Sequence, residues 1–209
     1  MVDDHPLVRQ GLVHVIQQEE DFIVSDEVGS AQEALDCFKK NKPNLAIMDV
    51  SLKGTNGLDL TRSLLSIDPN FLILMVSMYD ETLYAERVLR AGARGYLMKQ
   101  EAPEQVVNAL RKILAGEIFL SEKMNDMMLN KLISGKKSNT DSIVKNLSDR
   151  ELEVLQLVGQ GRGTRQIAEE LHISVKTIES HYAKIKEKLN LKNSNELIQY
   201  AVRWYHVEL

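Results

Sequence analysis

Polar and charged side chains close the apolar runs in the first half of the chain. Asp3 and Asp4 follow the stub Met1-Val2, and Asp49 ends the run Asn44-Leu-Ala-Ile-Met48. Ser77 ends Phe71-Leu-Ile-Leu-Met-Val76, and Lys99 closes Gly95-Tyr-Leu-Met98. In a parallel α/β sheet the carboxyl ends of the strands share one edge, and ligands bind just outside it. Three carboxylates on that edge repel one another unless a cation joins them. Mg²⁺ takes near-octahedral oxygen ligands and keeps several waters, which Asp3, Asp4, Asp49 and the backbone carbonyl of Ser51 can accommodate. Asp49 is then placed to attack phosphorus as a carboxylate nucleophile. Lys99 neutralises charge on the transferring oxygens, and Ser77 can hydrogen-bond one of them.

A second constellation lies near the other end. Ser174–Lys192 carries five lysines against Glu179 and Glu187, on a segment with helical periodicity. Gln166–Ile185 has the organisation of a helix-turn-helix, with Ile167, Ala168, Leu171, Ile173, Ile178 and Ile185 at the positions that hold two helices at a fixed angle. The opposite face offers Lys176, Thr177, Glu179, Ser180, His181, Ala183, Lys184 and Lys188. Such a face can enter the major groove of double-stranded DNA, with lysines and hydroxyls on phosphates and a few side chains on base edges. The alternatives are a helical bundle with a merely solvated lysine face, and a binding module whose helices engage protein or RNA.

The elements that must position these groups follow from periodicity. Helical patterns run over Pro6–Glu19, Ala31–Asn41, Leu58–Ile67, Glu81–Ala91 and Pro103–Ala115. Extended runs at Phe22–Val28, Leu45–Met48, Phe71–Ser77 and Gly95–Met98 alternate with them, which predicts βα repeats and a parallel sheet. The class expected is a doubly wound parallel five-stranded sheet, with a smaller all-α domain behind it. A first strand ending at Asp3 has only Met1-Val2 before it, so Met1 is expected to be an internal methionine of a longer natural chain. Ser121–Ser134 reads as a further helix and Gly135–Ser142 as a flexible linker. The predicted domains are therefore 1–117, a helical linker and tether over 118–145, and 146–209. The last part has four helical patterns: Asp149–Gln160, Thr164–Leu171, Val175–Leu189 and Ser194–His206. Ser148 with Glu151 three residues later has the form of a capping box, and Ser174 is placed to cap the third helix. Leu197, Ile198, Ala201, Val202 and Trp204 can pack the core or a dimer seam, and the core is the expected fate.

Composition sets bounds on these readings. The chain has 209 residues and a net charge of −4. Residues 1–145 carry 17 Lys/Arg against 21 Asp/Glu, and the remainder carries nine of each, so a nucleic-acid partner suits the second part only. Cys37 is the single cysteine, which excludes an internal disulfide and a cysteine-ligated cluster and fits a reducing cytoplasm. No apolar run is long enough for a membrane span.

The segments Val2-Asp-Asp-His-Pro-Leu-Val-Arg-Gln-Gly-Leu12, Met48-Asp-Val-Ser-Leu52, Val76-Ser-Met-Tyr-Asp80 and Ala91–Lys99 resemble the receiver domain of NarL/FixJ-type response regulators. Leu147–Leu155, Gln166–Leu171 and Ile173–His181 through Lys188-Leu189 resemble the LuxR-type DNA-binding domain. The resemblance implies that Asp49 accepts phosphate from a sensor histidine kinase, that Asp3 and Asp4 belong to a Mg²⁺ site, and that Ser77 and Lys99 contact the phosphoryl group. Tyr96 matches the aromatic switch residue, which turns inward as the hydroxyl residue moves toward phosphate. His5 stands at the helix start of this motif and is not a phosphodonor. Lys53 stands where the family usually has proline, with Gly54 and Gly57 to make the turn. In the second domain Lys176, Thr177, His181, Lys184 and Lys188 are implied as mainly backbone contacts, and Glu179, Ser180 and Ala183 lie nearest the bases. The resemblance also implies a homodimer on phosphorylation. An aspartate-nucleophile phosphatase is the enzymatic alternative, but Asp49-Val-Ser51 lacks the second carboxylate two residues on that such enzymes use.

Overall fold

The computed structural model describes residues 1–134, 144 and 146–208. The chain divides into two compact units, Met1–Asn130 and Lys131–Leu209.

In the first unit, β1 (Leu45–Asp49), β4 (Leu72–Ser77) and β5 (Gly95–Met98) form a parallel sheet in the order β1-β4-β5. The register pairs Asp49 with Val76 and Ser77 with Met98, so three strands end side by side. Lys99 continues directly from β5, its backbone N–H donating to Ser77 O at 2.8 Å. The β4 run is buried from Ile73 to Ser77, as expected of a strand covered on both faces. Helices α1 (Pro6–Ile16), α2 (Ala31–Asn41), α3 (Gly57–Ile67), α4 (Glu81–Ala91) and α5 (Ala102–Leu114) alternate with these strands, followed by α6 (Glu122–Ser134). Leu12 and Ile16 of α1 and Val106, Leu110 and Ile113 of α5 share a core with Ile47, Leu74, Val76 and Leu97.

Three of the five expected strands form full ladders, and the first, expected to be short, is a bridge at Val2. Val2 makes single parallel bridges to Met48 on one side and Val28 on the other, so the order 2-1-3-4-5 survives with its first two members reduced to bridges. Within Phe22–Val28 only Val28 takes part in a bridge. Ile23 is 92% exposed. An unforeseen bridge joins Gly95 to Phe119 at the opposite edge. The two short strands β2 (Ser51–Leu52) and β3 (Thr55–Asn56) pair antiparallel around Lys53 and Gly54. Gly54 takes φ +74° there, a conformation glycine adopts without a Cβ penalty.

The second unit contains α7 (Asp149–Gly159), α8 (Thr164–Glu170), α9 (Val175–Leu189) and α10 (Ser194–Glu208) among its described residues. The capping box forms: Glu151 N donates to Ser148 Oγ at 3.3 Å, and Ser148 N donates to Glu151 Oε2 at 2.7 Å. Ser174 caps α9 through the N–H of Thr177 at 3.1 Å. Leu197, Ala201 and Trp204 of α10 are buried core, whereas Ile198 is 47% exposed. A Cβ on Gly159 would stand 2.8 Å from Ala201 O, so the close crossing of α7 and α10 requires glycine. The expected linker Gly135–Ser142 lies outside the described residues.

Candidate functional site

Asp3, Asp49 and Lys99 meet at the carboxyl edge of the sheet. Lys99 Nζ lies 2.8 Å from Asp3 Oδ2 and 2.5 Å from Asp49 Oδ2, with all three side chains at most 5% exposed. Ninety-six residues of sequence separate the ends of this triad. The parallel register and the crossovers through α1 to α4 bring them together. Asp4 adjoins them, and His5 Nδ1 lies 2.8 Å from Asp4 Oδ1. Ligand atoms from Asp3, Asp4, His5 and Asp49 all fall within 4.8 Å of one another.

Several backbone devices hold the cluster in place. His5 N donates to Asp3 Oδ1 at 2.8 Å, and Arg9 donates through a guanidinium nitrogen to Asp3 O at 2.5 Å. Ser51 N donates to Asp49 Oδ1 at 3.3 Å. Gly57, the first residue of α3, lies so close to β1 that a Cβ there would stand 2.0 Å from Asp49 O. Sequence reasoning gave Gly57 only a role in the turn before α3 and assigned none to Arg9. The only signals were an arginine one turn into α1 and a glycine just before a helix, and neither is specific without the fold.

Burial pushes the Asp49 carboxyl up to about 7, and the Asp3 carboxylate adds to this against the opposing Lys99 ammonium. Burial by itself would lower the Lys99 ammonium, but Asp49 and Asp3 outweigh it and hold it above the ordinary lysine value. One lysine thus leaves two buried carboxylates short of positive charge, which favours the neutral form of Asp49. Asp3 Oδ2 has Lys99 as its charge partner, which it shares with Asp49, and Asp4 Oδ1 has only the His5 ring beside it. Three clustered carboxylates with one lysine between them fit a divalent cation, which would supply the missing positive charge and favour ionised Asp49.

Ser77 and Tyr96 are joined through the turn after β4. Ser77 Oγ accepts the N–H of Tyr79 at 3.2 Å, and the Tyr96 hydroxyl donates to Tyr79 O at 2.6 Å. Tyr96 is 1% exposed and points inward. Burial drives its phenol pKa well above the ordinary value, so the hydroxyl remains a donor. Ser51 sits at the start of the β2–β3 turn, directly after Asp49 and Val50.

In the second unit Ile167, Ala168, Leu171, Ile178 and Ile185 are buried and Ile173 is half-buried, which packs α8 against α9. The turn between them passes through His172 at φ +51°. Lys176, Thr177, Glu179, Ser180, Ala183 and Lys184 are all exposed on α9. The other two predicted contacts are placed differently. Lys188 Nζ forms an ion pair with Glu151 Oε2 at 2.6 Å. His181 is half-buried, with Nδ1 enclosed and without a hydrogen bond. Burial, then the Arg150 charge, lowers its pKa below the ordinary histidine value, so the ring is neutral at pH 7. Arg150 ties α7 to the end of α8, donating to Glu153 at 2.7 Å and to Leu171 O at 2.9 Å. Among the described residues no helix is long and apolar enough to cross a membrane.

Residues 1–111 match the response regulator receiver domain family, and residues 145–201 match the bacterial regulatory proteins of the luxR family. The chain is 37% identical to the oxygen regulatory protein NreC of Staphylococcus carnosus over 207 residues, covering 97% of this chain and 95% of that one. NreC of Staphylococcus haemolyticus gives the same identity and coverage. Among solved structures, RcsB of Salmonella enterica serovar Typhimurium, bound to a promoter in the presence of the phosphomimetic BeF3-, is 28% identical. It has a TM-score of 0.63 and covers 96% of this chain and 95% of that one. The acidic cleft, the helix-turn-helix and these matches agree: the chain belongs to the NarL/FixJ-type response regulators, which join a receiver domain to a LuxR-type DNA-binding domain.

Proposed function

We propose that this response regulator is phosphorylated on Asp49 by a sensor histidine kinase and, as a homodimer, binds double-stranded DNA sequence-specifically to control transcription. The observation that carries this reading is the buried Asp3–Lys99–Asp49 cluster at the strand ends, with Asp4 beside it. Asp3, Asp4, Asp49 and the carbonyl of Ser51 would hold Mg²⁺. When bound, the ion neutralises carboxylate and phosphoryl oxygens and lowers the barrier to transfer. Asp49 supplies the nucleophilic oxygen, and Lys99 stands ready to pair with the transferred group. Ser77 Oγ has a hydrogen to donate to a phosphoryl oxygen, and turning toward it would loosen its hold on the Tyr79 N–H. Tyr96 holds the carbonyl of the same residue, so the turn before α4 responds to both side chains. That is a two-state element of the kind such switches use.

On α9 the exposed Lys176, Thr177 and Lys184 would contact phosphates, and Glu179, Ser180 and Ala183 would face base edges. Glu179 can accept from cytosine N4. Lys188 would reach phosphate only by leaving Glu151, and His181 would contribute a neutral ring N–H. The RcsB likeness, a protein solved on promoter DNA, supports this docking.

The test uses the full chain, a small acyl phosphate with MgCl₂, and a duplex recovered by genome-wide mapping. Asp49→Asn is expected to incorporate no phosphate, to keep the wild-type circular dichroism spectrum, and to lose the donor-dependent gain in duplex binding. Phosphate incorporation by that variant would overturn the assignment of Asp49.

A further inference from the structure

We infer that Glu81 and Ser121 form a latch that holds the start of the helix α6 against α4, and that phosphorylation of Asp49 releases it. The inference rests on the proposed phosphorylation of Asp49 and names what the Ser77–Tyr79–Tyr96 turn would move.

α6 lies beyond the receiver match, which ends at residue 111. The residues that lead into it are nevertheless fixed to the receiver at two points. Phe119 lies along the edge of β5, donating its N–H to Arg94 O at 2.9 Å and accepting the N–H of Tyr96 at 3.0 Å. Two residues on, Ser121 Oγ donates to Glu81 Oε1 at 2.8 Å. The same oxygen accepts the N–H of Met124 at 3.1 Å, which caps α6. One hydroxyl thus both starts the helix and ties it to α4.

Glu81 is the first residue of α4 and only 8% exposed. A buried carboxyl group is costly unless its oxygens are hydrogen-bonded, and Ser121 supplies such a bond. α4 does not need Glu81 as a cap, because Asp80 Oδ1 accepts the N–H of Thr82 at 2.8 Å.

These bonds close a ring. Tyr96 holds Tyr79 O through its hydroxyl and Phe119 O through its backbone N–H. Glu81, two residues after Tyr79, meets Ser121, two residues after Phe119. Ser77 Oγ grips the ring at the N–H of Tyr79. Once Ser77 turns to a phosphoryl oxygen, Tyr79 and the adjoining start of α4 shift. A side-chain hydrogen bond does not survive a displacement of about 1 Å. The Glu81 contact opens, and α6 keeps its cap but loses its anchor.

The test is hydrogen exchange in the full chain, read at the first-turn amides of α6 with and without a small acyl phosphate and MgCl₂, while intact mass counts phosphate. In wild type, phosphate incorporation is expected to speed exchange at Met124 and Asn125 about tenfold, as loss of one buried hydrogen bond would give. Glu81→Ala removes the acceptor but not the cap, so its α6 should exchange fast already without donor and gain nothing with it. Glu81→Gln keeps an acceptor oxygen and should restore the donor dependence. Wild-type protein that takes up phosphate with no change at α6 would overturn the latch and leave the phosphorylation of Asp49 standing. Slow exchange at α6 in a Glu81→Ala protein with the wild-type circular dichroism spectrum would do the same. Absence of phosphate from wild type would overturn the reading of Asp49 and the latch together.

Discussion

The acidic cleft and the α9 face both use charge, under opposite physical conditions. In the cleft, Asp3, Asp49 and Lys99 are almost fully buried and come from three strand ends. On α9, Lys176, Thr177, Glu179, Ser180 and Lys184 are exposed and come from one helix. Buried charges interact strongly and tolerate little displacement, so each member of the cleft depends on its neighbours. Exposed lysines are screened by salt, act nearly independently and contribute by number. A switch needs the first arrangement, because one added phosphoryl group must disturb the whole cluster. A reader of DNA needs the second, because its partner supplies the opposing charge.

This contrast can be broken most sharply at Gly57. Gly57→Ala puts a methyl where Asp49 O now sits, and is expected to destabilise the receiver by about 1–3 kcal/mol. Displacement of Asp49 should slow phosphate incorporation by about a hundredfold, measured with a small acyl phosphate. Wild-type rates in that variant would show that the cleft tolerates movement and that the contrast is false. The exposed face predicts graded loss instead. Lys176→Ala with Lys184→Ala should lower the slope of log affinity against log salt by about 2 without changing the melt. An unchanged slope would remove both lysines from the interface.

Glu151 sharpens the comparison, since it is a buried charge inside the DNA-binding unit. Burial pushes its carboxyl up, but Lys188 and the Ser148 N–H outweigh that and hold it below its usual 4.5. A depressed folded value means the pair stabilises above the unfolded value and is lost as pH falls through the folded one. Glu151→Gln should therefore cost about 1–2 kcal/mol at neutral pH, with the gap closing at acid pH in urea titrations. A gap that stays constant with pH would exclude the ion pair as its source. The smallest effect is expected at His172, which holds φ +51° in the helix-turn-helix turn. His172→Gly should stabilise by up to about 1 kcal/mol, and destabilisation in a thermal melt would show that the imidazole makes a contact that matters.

Much of this was legible before any coordinates. Asp49, Ser77 and Lys99 each end an apolar run, and a parallel sheet brings such ends to one edge whatever the details of packing. The capping box at Ser148 and Glu151 and the buried set Ile167, Leu171, Ile178 and Ile185 follow from local spacing alone. Phe22–Val28 was misread as a strand because its apolar content is a local signal, whereas a strand exists only if another backbone lies beside it.

Local chemistry along the chain thus settled the kinds of element, their order, and which residue types stand at their ends and faces. Periodicity and capping act within a few residues, so they can be read without a partner. Only the packed molecule decided that Gly57 must lack a side chain, that Arg9 grips the Asp3 carbonyl, that Lys188 pairs with Glu151, and that His5 Nδ1 faces Asp4. Those facts depend on contacts between groups far apart in sequence, where a displacement of about 1 Å separates a hydrogen bond from none.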